Sequence, residues 1–239
     1  STITPVWRLQ EGTNNLGTVT QTLPLGLITV PTLALTNAAP ITIPDVGKAC
    51  IYPSPIAVSG VSGIVNKVTV TLLGYSHTWP DDVDVLLVGP TGQKVLVMSD
   101  CGGGNVLNGV TLTFDSEAVA SVADNAVIPS GHYKPTNVDT TSDNFPVPAP
   151  SGPFGSSLAA FNGLDPNGNW SLYVQDDGSL DAGSIARGWA LSLTVSNLAC
   201  CDGALNLADL GIAQIVTPPA LYLGSNVTII LTITNHGPD

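Results

Sequence analysis

The run GWALSLTVS, residues 188–196, alternates oily and wettable side chains without a break: Trp189, Leu191, Leu193 and Val195 face one way, Ala190, Ser192, Thr194 and Ser196 the other. A period of two fits no helix and specifies a strand with one face in a core and one in water. The pattern recurs in Val68, Val70 and Leu72 against Thr69 and Thr71, in Val110, Leu112 and Phe114 against Thr111 and Thr113, and in Trp170, Leu172 and Val174 against Ser171 and Tyr173. Between the runs lie turn sequences such as DPNG at 165–168 and GPTG at 89–92. Short half-buried strands can hide their apolar faces only by pairing into layers, so the fold class is all-β, a sandwich or barrel. The 25 glycines and 19 prolines agree, and helices are expected to be scarce.

Length and composition set the boundaries. The 239 residues suffice for one large β domain, or one domain plus part of another. Residues 1–45 carry apolar runs such as GLITVPTLALT with no readable register and are expected to form an N-terminal β arm. Residues 46–200 hold the alternating strands. Residues 124–157, rich in Pro, Gly, Asn and Asp without sustained periodicity, read as a long surface loop. A second β unit is expected at 207–239, where Val227, Ile229, Leu231 and Ile233 alternate after a GSN turn.

Charge narrows the partners. Six basic against eighteen acidic residues give a net charge of −12, which repels phosphate backbones and anionic membrane surfaces. Nucleic acid is therefore not an expected partner, and the lack of an apolar stretch of membrane-spanning length argues against membrane insertion. So few cations leave many acids to be solvated or neutralised by bound ions, and calcium is the natural candidate. The start STITPVWRLQ has neither a methionine nor a signal-peptide pattern and reads as a processed or excised piece. Cys50, Cys101, Cys200 and Cys201 lack zinc-site spacing and are expected to form disulfides, the adjacent pair reaching back to Cys50 and Cys101. Such bonds place the chain outside the cell or at its surface.

No arrangement of His77, His132 and His236 matches a metalloprotease motif, and no nucleophile elbow occurs, so no catalytic residue is assigned and the chain is read as a non-enzyme. Trp170 and Trp189 alternate with core residues. Trp7 and Trp79 are left as candidates for an exposed sugar-stacking platform, with a glycan as the ligand.

The run YPSPIAVSGVSGIVNKVTVTLLGYSHTWPDDVDVLLVGPTGQKVLVMSDCGGG, together with LAAFNGLDPNGNWSLYVQDDGSLDAGSIARGWALSLTV, resembles the P domain of kexin- and furin-type proprotein convertases in its bacterial secreted form, from Ile51 to Val195. The resemblance implies a jelly-roll β-sandwich over 46–200 with no active site of its own, appended to secreted proteases or surface proteins. The tail from Ala208 resembles the opening two strands of an Ig-like repeat of surface proteins.

The metal candidates are six aspartates: Asp81, Asp82 and Asp84 where the VDVLLV strand begins, and Asp176, Asp177 and Asp181 around the turn QDDGSLDAG. Calcium takes six to eight hard oxygens, which these loops could supply if the fold brings them together; the resemblance also points to calcium, since secreted relatives carry it. The functional expectation is a structural module of a surface layer or filament, self-associating through exposed β edges, with a strand such as LITVPTLALT donated between subunits. The alternatives are an adhesion module binding carbohydrate or protein, and a stabilising P domain of a secreted protease.

Overall fold

The alternating runs all become strands, and their pairing makes two layers. A computed structural model describes residues 2–4, 6–11, 13–20, 23–24, 28–29, 32–139, 143–197, 210–217 and 228–235. In chain order the first strands are β1 (Thr2–Ile3), β2 (Val6–Glu11), β3 (Asn14–Thr20), β4 (Leu23–Pro24), β5 (Ile28–Thr29), β6 (Leu33–Asn37) and β7 (Ile41–Ile43). Then come β8 (Gly47–Lys48), β9 (Ser54–Val58), β10 (Ile64–His77), β11 (Val83–Val88), β12 (Lys94–Ser99), β13 (Leu107–Asp115), β14 (Gly131–Tyr133) and β15 (Thr136–Asn137). The last are β16 (Gly168–Asp176), β17 (Gly183–Ile185), β18 (Trp189–Asn197), β19 (Leu210–Thr217) and β20 (Thr228–Asn235). Two single 3₁₀ turns, Pro80–Asp82 and Leu158–Phe161, complete the described elements. No helix among the described residues is long and apolar enough to cross a membrane.

The chain divides into two units, Ser1–Leu198 and Ala199–Asp239. In the first, one sheet runs β14-β13-β10-β17-β7, with β18 next to β17 along the same edge of β10 and β5 and β6 on β18; the second runs β15-β12-β11-β16-β8, with β9 on β16. Pairing is antiparallel except at β12–β15 and β13–β14. The expected core faces meet between the layers: Val68, Val70 and Leu72 from β10, and Trp189, Leu191, Leu193 and Val195 from β18, lie against Val83, Val85 and Leu87 of β11 and Trp170, Leu172 and Val174 of β16. The all-β sandwich is thus the observed architecture. The GPTG turn forms, with Gly92 N–H donating to the Gly89 carbonyl (3.1 Å) and Gly89 N–H to the Gln93 carbonyl (2.8 Å). At DPNG no backbone turn closes, and the Asp165 side chain instead accepts from the Asn167 N–H (2.9 Å) as Gly168 enters β16.

Two segments differ from the sequence reading. Residues 33–43, placed in a separate arm, belong to the sandwich: Leu33 to Asn37 pair in register with Leu193 to Trp189, and Ile41 and Ile43 are fully buried. The boundary expected at residue 46 therefore falls inside the sandwich, between β7 of one sheet and β8 of the other, while β2 with β3 and β1 with β4 do form small sheets of their own. The segment LITVPTLALT, expected as a donated strand, supplies β5 and β6, which pair with β18 of the same chain.

The long loop is also more than surface. Its Phe145 and Ala149 pack on Leu86, Leu96 and Tyr173, forming a second apolar cluster on the outer face of the β11/β12/β16 sheet. That cover explains why VDVLLV does not alternate, since both its faces are buried, and why Tyr173, read as facing water, is buried too. In the second unit β19 and β20 form a two-stranded antiparallel sheet, Leu210 opposite Asn235 through Thr217 opposite Thr228.

Candidate metal centre

The register of β11 against β16 brings the two aspartate-bearing loops to one end of the sandwich. Val83 stands opposite Asp176 and Asp84 opposite Gln175; beyond them Asp177 N–H donates to the Asp82 carbonyl (2.9 Å), and Ala182 N–H to the Thr78 hydroxyl (3.2 Å). Pro80–Asp82 is a 3₁₀ turn, so strand alternation starts only at Val83 and does not place Asp82 beside Asp84.

Of the six expected aspartates, one enters a tight oxygen cluster. Asp84 lies buried under the loop cover, and its carboxylate meets those of Asp100 and Asp143, with one oxygen of each within 4.8 Å of the others. At their centre is Ser99, the last residue of β12. Its Oγ is 2.7 Å from Asp84 Oδ1, 2.9 Å from Asp100 Oδ2 and 2.8 Å from Asp143 Oδ1. A hydroxyl has one proton to give, so at most one of the three carboxylates receives it, and the others need a proton of their own or a cation to stand so close. Burial is the main cause that pushes Asp84 up to about 7, against the pull of its bonds from Ser99 and Gln175, and it raises Asp100 as well.

These donors fit calcium. All are hard oxygens, with no thiolate or imidazole among them, and oxygens bound at ~2.3–2.6 Å to one ion can stand no more than about 5 Å apart. Asp84, Asp100 and Asp143, with the Ser99 hydroxyl, would hold the ion, which would supply charge neutralisation and a cross-link. Supporting bonds fix the donors: Gln175 Nε2 donates to Asp84 Oδ2 (2.8 Å) and to the Asn144 carbonyl (3.1 Å), and Asn137 Nδ2 to Asp143 Oδ2 (3.0 Å).

The other five aspartates sit nearby with different partners. Asp82 is raised to about 6, first by burial and then by Asp176, Asp177, Asp181 and Asp81; its carboxylate lies where a Cβ on Gly178 would collide with it. Asp176 is also raised to about 6, chiefly by burial; its Oδ1 accepts from Gly178 N–H (3.1 Å) and its Oδ2 lies 3.0 Å from His77 Nε2, both side chains being sealed from solvent. Neither of those two atoms makes a well-aligned hydrogen bond. His77 is lowered by burial, and its Nδ1 rests against both backbone groups of Trp79, 3.2 Å from the N–H and 2.9 Å from the carbonyl. Asp81 turns away and accepts from Gly103 N–H (3.2 Å).

Known families and curated proteins give no match to this chain. Among solved structures, two of the Aeromonas sobria serine protease are similar: its complex with the chaperone ORF2 (15% identity, TM-score 0.37, 74% of this chain and 28% of the other) and the protease alone (15%, 0.36, 73% and 28%). The chain thus spans under a third of the length of those proteins.

Cys50 is exposed and Cys101 buried, and both thiols are free. Cys101 donates to the Ser99 carbonyl (3.0 Å), and burial pushes it up to about 12. Their expected disulfide partners, Cys200 and Cys201, lie outside the described residues, as does His236. His132 is exposed on β14. Sequence reasoning missed Asp100 and Asp143. Asp100 was within reach, because the GPTG hairpin pairs Val85 with Met98 and so carries Asp84 to the level of Ser99. Asp143 lies in a segment without periodicity, and nothing in its neighbours announced where it would dock.

Proposed function

We propose that the chain is a non-enzymatic structural module of an extracellular or cell-surface protein, a P-domain-like sandwich whose loop cover is clamped by calcium. One observation carries this reading: three carboxylates from three chain segments converge on the single proton of Ser99. A cation there ties β11, the end of β12 and the 143–149 cover into one piece. Calcium sites of extracellular modules bind at roughly 10⁻⁴–10⁻³ M, so such a clamp engages outside the cell. The resemblance to the P domains of secreted convertases supports the same placement and keeps a stabilising domain of a secreted protease within the same reading. The test is thermal unfolding of the full chain in excess calcium and in excess EDTA. At a hundred times the dissociation constant an ion adds about 2.7 kcal/mol, or about 5–10 °C for a domain of this size. That increment should vanish in Asp143→Asn; equal midpoints with and without calcium in the parent protein would overturn the reading.

A second reading, assembly into a surface layer or filament, is favoured by β19 and β20. Among the described residues β19 and β20 pair only with each other, and two strands alone are marginal in water; strands from another copy would complete the sheet. Sedimentation equilibrium checks it, since a monomer at every concentration removes self-assembly.

A further inference from the structure

Beside the aspartate-rich end, and separate from the metal centre, an open groove of about 440 Å³ is lined by Trp79, Asp81, Gly104, Asn105, Asp124 and Asn125. Its volume falls within the ~300–1,000 Å³ of small-ligand sites. Trp79 is the notable member: a large apolar ring left 46% exposed, while Trp170 and Trp189 are buried. Leaving so much indole in water is unfavourable, and the surroundings hold it there. His77, itself buried, braces the Trp79 backbone, and the Pro80 that follows is buried as well. The ring packs on Gly104, where a Cβ would come within 2.6 Å of it. Gly103 gives way in the same manner to Asn125, whose side chain occupies the space a Cβ would need. Gly103 and Gly104 thus leave room for an aromatic plane and a set of amides and carboxylates to share one concavity.

We propose that this groove binds a neutral sugar ring of a glycan, stacked on Trp79 and hydrogen-bonded by Asp81, Asn105, Asp124 and Asn125. The C–H-rich face of a pyranose carries a partial positive charge that suits the negative face of an indole. Its vicinal hydroxyls need acceptors and donors side by side, which carboxylates and amides supply together. Asp81 gives one oxygen to Gly103 N–H, and the carboxylate has lone pairs beyond that bond; Asn105 is steadied by donating to the Gly102 carbonyl (2.7 Å). Two carboxylates in the groove, on a chain of net charge −12, repel uronate- and sulfate-bearing polymers and select uncharged rings. The two flanks of the groove are remote in sequence, Trp79 and Asp81 before β11 and Asp124 and Asn125 after β13, so only the folded sandwich creates it.

Isothermal titration of the full chain with cellohexaose, xylohexaose, mannohexaose and chitohexaose, with polygalacturonate as the anionic control, tests the proposal. Saturable binding of at least one neutral oligosaccharide and none of polygalacturonate is expected. Trp79→Ala should weaken that binding roughly tenfold or more, Trp79→Phe should keep most of it, and Asn125→Ala should weaken it while each variant retains the parent's melting curve. The proposal is overturned if none of the four neutral oligosaccharides binds, if polygalacturonate binds as well as they do, or if folded Trp79→Ala binds with the parent's affinity. Should Trp79→Ala fail to fold, Trp79→Phe and Asn125→Ala decide between the outcomes, and unchanged affinity in Asn125→Ala then overturns the proposal.

Discussion

Asp176 and His77 are two titratable side chains sealed together, and neither makes a well-aligned hydrogen bond at the atom facing the other. Burial lifts Asp176 to about 6, well above the ordinary carboxylate value of roughly 4. The folded protein therefore holds this proton more tightly than the unfolded chain does. The stability it contributes is present in full below pH ~4 and is lost as pH rises through about 6. His77, lowered by burial, acts in the opposite sense: its contribution is present above about 6.5 and fades as pH falls below that value. Asp176→Asn keeps the acceptor for Gly178 N–H, removes the charge and leaves His77 in both proteins. Urea unfolding of variant and parent, in EDTA, should give a stability difference that grows in the variant's favour between pH 4 and 7 and levels off near roughly 1–3 kcal/mol, the usual cost of a buried polar group left without a good partner. A difference independent of pH would show that the carboxylate does not titrate there.

At the scale of elements, the decisive contact is between the 143–149 segment and the outer face of β11, β12 and β16. Phe145 covers Leu86, Leu96 and Tyr173 and stands edge-on to Phe154 at 5.5 Å. Phe145→Ala deletes most of that cover, at a cost of about 3 kcal/mol by analogy with buried phenylalanines. Since Asp143 lies two residues away, the same variant should bind calcium more weakly and admit protease cleavage near 143–149, read by limited proteolysis with mass spectrometry; parent-like resistance in EDTA would separate cover from clamp. This element also marks the limit of what the sequence revealed. Alternation in β10, β13 and β18 was legible because one face of each meets water. In β11 and β16 the outer face is buried by a segment whose own pattern is irregular, so VDVLLV shows no alternation and the period of two in β16 points Tyr173 to water although it is covered. The aspartate-rich end was legible from composition and turn chemistry. Asp143 was not, because a loop residue's position follows from what the loop covers rather than from its neighbours in sequence.

At the scale of the molecule, the sandwich closes only with strands from the first 45 residues. β6 adds five residues to the free side of β18, and β7 adds Ile41 and Ile43 beside β17, both wholly buried. Fully burying an isoleucine is worth roughly 1.5–3 kcal/mol, so these two alone contribute about 3–6 kcal/mol. Leu33 and Leu35, partly buried against the same core, add to that, and the total is comparable with the ~5–15 kcal/mol that holds a whole domain together. Removing β6 also uncovers the edge of β18, a strand with four large apolar side chains on one face and an unpaired ladder on its flank. A chain beginning at residue 46, which an independent arm would tolerate, should therefore fail to fold or aggregate, whereas one beginning at residue 28 should keep the sandwich. Circular dichroism melts and size-exclusion profiles of the two chains decide it: a cooperative melt and a soluble monomer from residue 46 onward would mean that β6 and β7 lean on a core complete without them.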